Sequence, residues 1–183
     1  MEIKKEKIEG LISFFPKIFG DDRGFFYESF NEKKYSEIIG KSLNFVQDNI
    51  SKSAKGVLRG LHFQKPPFDQ GKLVQVIEGI ALDVVVDIRR NSPTYGQHVK
   101  VILSSKEKNQ FWIPPGFAHG FCALEDNTVF LYKCTNYYAP EFEQSILWND
   151  PDLKIDWGIK NPITSEKDKT AILLKNFESP FEL

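Results

Sequence analysis

The chain has 183 residues, 41% hydrophobic and 27% charged, which suits one globular domain over residues 1–183 and leaves little room for two. A net charge of −1 supplies no positive field that would attract nucleic acid. The longest apolar region, LVQVIEGIALDVVVDI, is broken by Glu78, Asp83 and Asp87 and cannot cross a membrane. The charged start, MEIKKEKIEG, lacks the apolar run of a signal peptide, so a cytoplasmic location is expected.

In chain order, NEKKYSEIIG reads as a short helix, with Asn31 as N-cap and Gly40 just past its end. GVLRGLHFQ then sets His62, one of three histidines, in an otherwise apolar segment. From about Leu73 the pattern has period two. In ALDVVVDI, Leu82, Val84, Val86 and Ile88 share one parity and Asp83 and Asp87 the other, which predicts a strand with one apolar face. In HVKVILSS, Val99, Val101 and Leu103 alternate with His98, Lys100 and Ile102. TVFLYKCT puts Phe130, Tyr132 and Cys134 on one face.

Turn signals (EGI, NSPTYG, SSKEKN, PPG, EDN) separate these runs. Many short strands at close spacing predict an all-β fold, an antiparallel sandwich or barrel with a few short helices. A less regular segment is expected from about Asp150, with a helical turn starting at Thr164 or Ser165. The sixteen phenylalanines suit a core or a subunit interface rich in large rings. Cys122 and Cys134 fit no metal or redox spacing and are expected as buried thiols.

Several chemistries lack their motifs. There is no G-x-G-x-x-G between a strand and a helix, no G-x-x-x-x-G-K-[ST] and no G-x-S-x-G. PPGFAHG has the P-x-G-x-x-H spacing of the second cupin motif, and so resembles that superfamily of small β-barrels. A metal-binding cupin also needs an H-x-H pair, and here LHFQ has Gln64 where the second His would stand. With only His62, His98 and His119 available, no metal is expected.

A closer resemblance rests on nine blocks in order. These are DDRGFFYE, FVQDNIS, GVLRGLHFQ, QGKLVQV, VDIRRNSPTYGQ, WIPPGFAHGF, YKCTNYYAPEFE, WNDPDLKIDW and SEKDK. From about Asp21 to Lys169 the chain is similar to the dTDP-4-dehydrorhamnose 3,5-epimerase family. The resemblance implies a cupin-type jelly-roll barrel acting on a dTDP-linked 4-keto-6-deoxyhexose, with no cofactor. Epimerisation beside a ketone needs a base, an acid across the ring and a partner for the enolate oxygen.

By this resemblance His62 is the base, Asp168 its carboxylate partner, Tyr132 the acid and Lys72 the cation near the ketone. Arg23, Arg59 and Lys167 match diphosphate-binding positions. Gln47, Asn49, Glu28 and Glu143 match further substrate contacts, His119 a sugar-site histidine and Tyr138 the ring that stacks on thymine. On residue type alone, His62 could equally be a core histidine, Tyr132 a barrel-lining ring and Lys72 a solvated lysine.

Arg59 and His62 stand three apart, so a regular strand would aim them to opposite faces. Either Gly60 hosts a bulge or Arg59 reaches a strand end. The family resemblance also implies a homodimer, in which Arg23 and Glu28 act in trans. Two other functions share the same residues. One is epimerisation at a single carbon, C3 or C5, of a related nucleotide-linked keto sugar. The other is a non-catalytic cupin that binds a sugar nucleotide.

Overall fold

The computed structural model describes residues 1–183 and contains thirteen strands and two α-helices, with two short 3₁₀ turns. The first strands are β1 (Glu2–Lys5), β2 (Ile12–Phe15), β3 (Phe19–Asp21) and β4 (Gly24–Phe26), followed by α1 (Glu32–Ile39). Then come β5 (Gln47–Ser53), β6 (Leu58–Gln64), β7 (Lys72–Glu78), β8 (Ile80–Asp87) and β9 (His98–Ser104). The last are β10 (Gln110–Ile113), β11 (Phe117–Ala123), β12 (Thr128–Cys134) and β13 (Glu143–Ser145), with α2 at Glu166–Lys169.

A six-stranded sheet has the order β1-β2-β10-β7-β12-β5, and a five-stranded sheet the order β13-β6-β11-β8-β9. All strand pairs are antiparallel. The order is that of the expected jelly-roll sandwich: from β5 to β8 and from β9 to β13 successive strands alternate between the two sheets, while β8 and β9 pair within one. β3 and β4 form a separate hairpin. No helix is long and apolar enough to cross a membrane.

Three apolar layers fix the arrangement. Between the sheets, Val74, Val76, Phe111, Ile113 and Phe130 meet Val85, Val99, Leu103, Phe117 and Phe121. Outside the six-stranded sheet, Tyr35 of α1 packs with Phe14, Leu73 and Trp112. Outside the five-stranded sheet, Leu58, Leu61, Phe63, Leu82, Val84 and Val86 are covered by Ile146, Leu153, Trp157, Leu174, Phe177 and Phe181. The less regular C-terminal segment is therefore a third layer of the core. Each fully buried ring or aliphatic side chain in it stabilises the fold by about 1.5–3 kcal/mol.

This layer corrects the reading of β8. Its Leu82, Val84 and Val86 parity faces the C-terminal segment, and the opposite parity faces the interior between the sheets. Asp83 and Asp87 are fully buried rather than solvated. Asp87 accepts hydrogen bonds from Arg89, Ser92 and Thr94, which organise the loop after β8. Asp83 points into the interior, where it meets His119.

The helix runs as the caps indicate. The Asn31 side chain accepts from the Lys34 amide, and Gly40 closes the helix in a left-handed conformation with φ of 80°. Cys122 and Cys134 are free and buried.

Candidate active site

The interior is apolar towards β9 and β10 and becomes polar where β5, β12 and β7 face β6, β11 and β8. A cavity of about 420 Å³ opens there, within the range of small-molecule sites. His62 and His119 come from the five-stranded sheet and Lys72, Tyr132 and Ser51 from the six-stranded one. Phe121 and Phe130, stacked at 4.0 Å, supply an apolar surface between them.

His62 shares this cavity with Arg59 because β6 carries one extra residue. Against β11, His62 stands opposite His119 but Arg59 stands opposite Phe121, so three steps on β6 match two on β11. The irregularity lies at Gly60, where φ is 140° and a Cβ would come within 2.4 Å of the Gly120 Cα. Of the two explanations open to the sequence, the bulge is the one that occurs. It turns Leu61 outward into the C-terminal layer and leaves Arg59 and His62 on the same inner face.

Asp168 arrives from 106 positions further along the chain and bonds His62 Nε2 at 2.6 Å. Two short parallel bridges hold the segment that carries it. Val57 pairs with Ile163 before α2, and Ile146 pairs with Ile172 after it. Ser165 caps α2 by accepting from the Asp168 amide. Burial alone would raise the Asp168 pKa, but hydrogen bonds and charge from His62, with help from Ser165 and the Gly60 backbone, hold it below its ordinary value. With Nε2 committed to this carboxylate, Nδ1 is the nitrogen left for a ligand.

Tyr132 lies on the facing sheet, opposite Asn49 and Val74. Its hydroxyl makes no hydrogen bond within the chain, and burial raises its pKa. The Lys72 ammonium lies 5.9 Å from the Tyr132 ring centre and in no ion pair. Burial pulls the Lys72 pKa down, while the charges of Cys134, Glu143 and Asp83 oppose that shift. His119 bonds Asp83 through Nε2 at 2.7 Å, forming a second and deeper imidazole–carboxylate pair. Burial raises the Asp83 pKa despite His119 and Lys72 nearby.

At the rim, Tyr138 is half exposed, with its amide donating to Gln47 Oε1 and its hydroxyl to Glu143. Glu143 also pairs with Lys167. Asn49 receives Gln47 and points its amide at the Cys134 sulfur, 3.6 Å away. These residues border the cavity without lining it.

Arg23 and Glu28 do not reach the cavity of their own chain. Arg23 projects from the β3–β4 hairpin and bonds Asp21, and Glu28 binds Asn31 and Lys34. Gln64 is a loop clamp: it donates to the Phe68 and Tyr137 carbonyls and accepts from the Ala139 amide. No three His, Cys, Asp or Glu side chains come together in a way that could hold a metal ion.

Ser51 and Asp83 belong to this site or its support without any motif that marks them, and Thr164 and Ser165, expected only as the start of a helical turn, line the cavity as well. An aspartate inside the apolar run ALDVVVDI was the one available signal for Asp83.

The sequence profile of the dTDP-4-dehydrorhamnose 3,5-epimerases matches residues 5–176. The Shigella flexneri dTDP-4-dehydrorhamnose 3,5-epimerase is 53% identical over 168 residues, which is 92% of this chain and 93% of that one. Among solved structures, the Legionella pneumophila dTDP-6-deoxy-D-glucose-3,5-epimerase in complex with dTDP-4-keto-L-rhamnose is 54% identical with a TM-score of 0.93. That match covers 97% of this chain and 94% of the other. A 3'-monoepimerase from Streptomyces bikiniensis in complex with dTDP-quinovose is 34% identical with a TM-score of 0.89, over 93% and 86% of the two chains.

Proposed function

The chain belongs to the dTDP-4-dehydrorhamnose 3,5-epimerase family, and we propose that it draws protons off its substrate at one wall of the cavity and returns them from the other. It is an isomerase that inverts C3 and C5 of dTDP-4-keto-6-deoxy-D-glucose to give dTDP-4-keto-L-rhamnose. The observation that carries the proton path is that His62 and Tyr132 face one cavity from different sheets. A planar enolate between them is approached from opposite faces, which is what inversion requires.

In each round His62 accepts the proton from the carbon beside the ketone. The bonding pair moves to the ketone oxygen, and the Asp168 carboxylate stabilises the imidazolium that forms. Lys72 faces the developing oxyanion. An ammonium destabilised by burial gains most from an arriving negative charge, so its stabilisation is strongest at the enolate. Tyr132 gives its phenolic proton to the other face of the same carbon. Exchange with solvent resets both groups.

On this reading His119 orients the sugar, and Arg59 and Lys167 take the diphosphate. Tyr138 stacks on the base with Gln47, Asn49 and Glu143 around it. Arg23 and Glu28 enter a partner's cavity in a homodimer. The hairpin that carries Arg23 supports this, because Phe19, Phe25 and Phe26 on it are exposed. The side chains that line the cavity supply this proton chemistry without a cofactor. The whole chain acts as one domain, in the cytoplasm.

Incubation with dTDP-4-keto-6-deoxyglucose in heavy water tests the assignment. His62→Ala should abolish both epimerisation and label uptake at C3 and C5. Tyr132→Phe should slow epimerisation by about 10²–10⁴ while label still enters, because His62 can return a deuteron to the face it came from. Wild-type exchange in His62→Ala would refute the role of the base. The monoepimerase of the same fold makes a second reading concrete, and label at one carbon alone would favour it.

A further inference from the structure

Lys72 and His119 line two spaces. One is the cavity described above. The other is a chamber of about 10 Å³ at the end of the barrel where β6 and β10 finish and β7 and β11 begin. Its wall is largely apolar, from Phe63, Ile113, Phe117 and Phe181, but Gln64 and Gln70 also line it. Gln70 and Pro115 on this wall are partly exposed, so the chamber lies close to the surface.

The chamber has room for about one water, which needs about two to four polar partners. Gln64 is committed to its loop. Gln70 spends Nε2 on the Asn136 carbonyl and keeps its oxygen. His119 spends Nε2 on Asp83 and keeps Nδ1. The Lys72 ammonium supplies donors. These three groups suit a water that both accepts and donates.

The reaction gives such a water a use. Each inversion leaves a proton on His62 and takes one from Tyr132. A second inversion of the same sugar needs both groups restored while the nucleotide fills the mouth. Lys72 lies 5.9 Å from the Tyr132 ring centre. At the ordinary values of 10.5 and 10.0, a lysine would keep its proton against a phenolate. Burial lowers the first and raises the second, which favours the transfer.

We propose that the chamber holds a water through which Lys72 returns a proton to Tyr132 from the far end of the barrel while the sugar is still bound. The assignment rests on the roles of His62 and Tyr132 given above. An N–H bond of the ammonium breaks as the phenol O–H bond forms, leaving a neutral amine. The amine takes a proton from the chamber water, and the hydroxide so formed takes one from solvent past Gln70 and Pro115. His62, 28% exposed at its side chain, gives its proton to solvent at the rim. One proton enters for each that leaves.

The ratio of singly to doubly inverted sugar released in the first turnovers tests this on wild type, Gln70→Leu and Ile113→Phe. Leucine keeps the bulk of Gln70 and removes its polar group; phenylalanine fills the chamber. Neither position lines the catalytic cavity. Both variants should bind dTDP and invert the first carbon as wild type does, yet release about tenfold more singly inverted sugar, or more than that. If Ile113→Phe fails to fold, Gln70→Leu decides, since Gln70 lies outside the apolar core. A wild-type ratio would overturn the proposal. So would an equal slowing of the two inversions, which is what a merely structural role predicts. A Tyr132→Phe chain that epimerises normally would overturn the reading beneath the proposal, and the proposal with it, so that variant is measured first.

Discussion

Two carboxylates flank the cavity, each bonded to an imidazole, and burial acts on them with different results. Asp83 is fully enclosed, one of its oxygens has no partner, and its pKa rises above 3.8. Asp168 has more hydrogen bonds and its pKa falls below 3.8. For a carboxyl lowered on folding, the stabilising contribution is fully present above the unfolded value. It is lost as pH falls through the folded one. Asp168→Asn should therefore lower Tm most at neutral pH, and the gap from wild type should close in melts run below about pH 4. A gap that stayed constant into acid would mean the carboxylate charge is not what matters there. Asp83 has the opposite sign: its ionised form at neutral pH works against stability.

Much of this residue chemistry was legible in the sequence because the residues sit in short contiguous motifs. His62 and Tyr132 each came with their neighbours. Asp83 was misread for a physical reason. Alternation identifies two faces of a strand but not which is solvated, and here neither is, because a segment about 70 residues later covers the outer one.

Among the elements, β6 shows how one glycine sets a site. Alternation alone separates Arg59 from His62, and the sequence left two ways to reunite them. The bulge at Gly60 is possible because Gly120 faces it, so two backbones touch where side chains would normally intervene. Gly60→Ala would push a methyl into the Gly120 backbone at a positive φ. The expected cost is about 3 kcal/mol in urea unfolding. Any folded fraction should also bind dTDP poorly, since Arg59 and His62 no longer share a face. A variant of wild-type stability would show that the strand can shed its bulge. The helix α1 posed no such difficulty: its caps are local chemistry, and Asn31 and Gly40 act as their types suggest.

Across the whole molecule, the barrel carries His62, Lys72 and Tyr132 of the proposed catalytic set, and the C-terminal layer carries Asp168. Asp168 is carried on a four-residue helix that is pinned by two single bridges and by packing of Trp157, Leu174, Phe177 and Phe181 on the five-stranded sheet. None of the strand ladders runs through it. A layer fastened this way can detach in a sub-global opening that leaves both sheets paired. The enzyme would then carry its own proofreading of completeness: a chain whose tail has not docked has a folded barrel and a histidine without its carboxylate. Heat should silence turnover several degrees before the β-sheet signal in circular dichroism is lost. Amides of residues 163–172 should exchange with deuterium ahead of those in β7, β8 and β12. Coincident loss of activity and sheet signal would mean instead that the tail and the barrel melt as one.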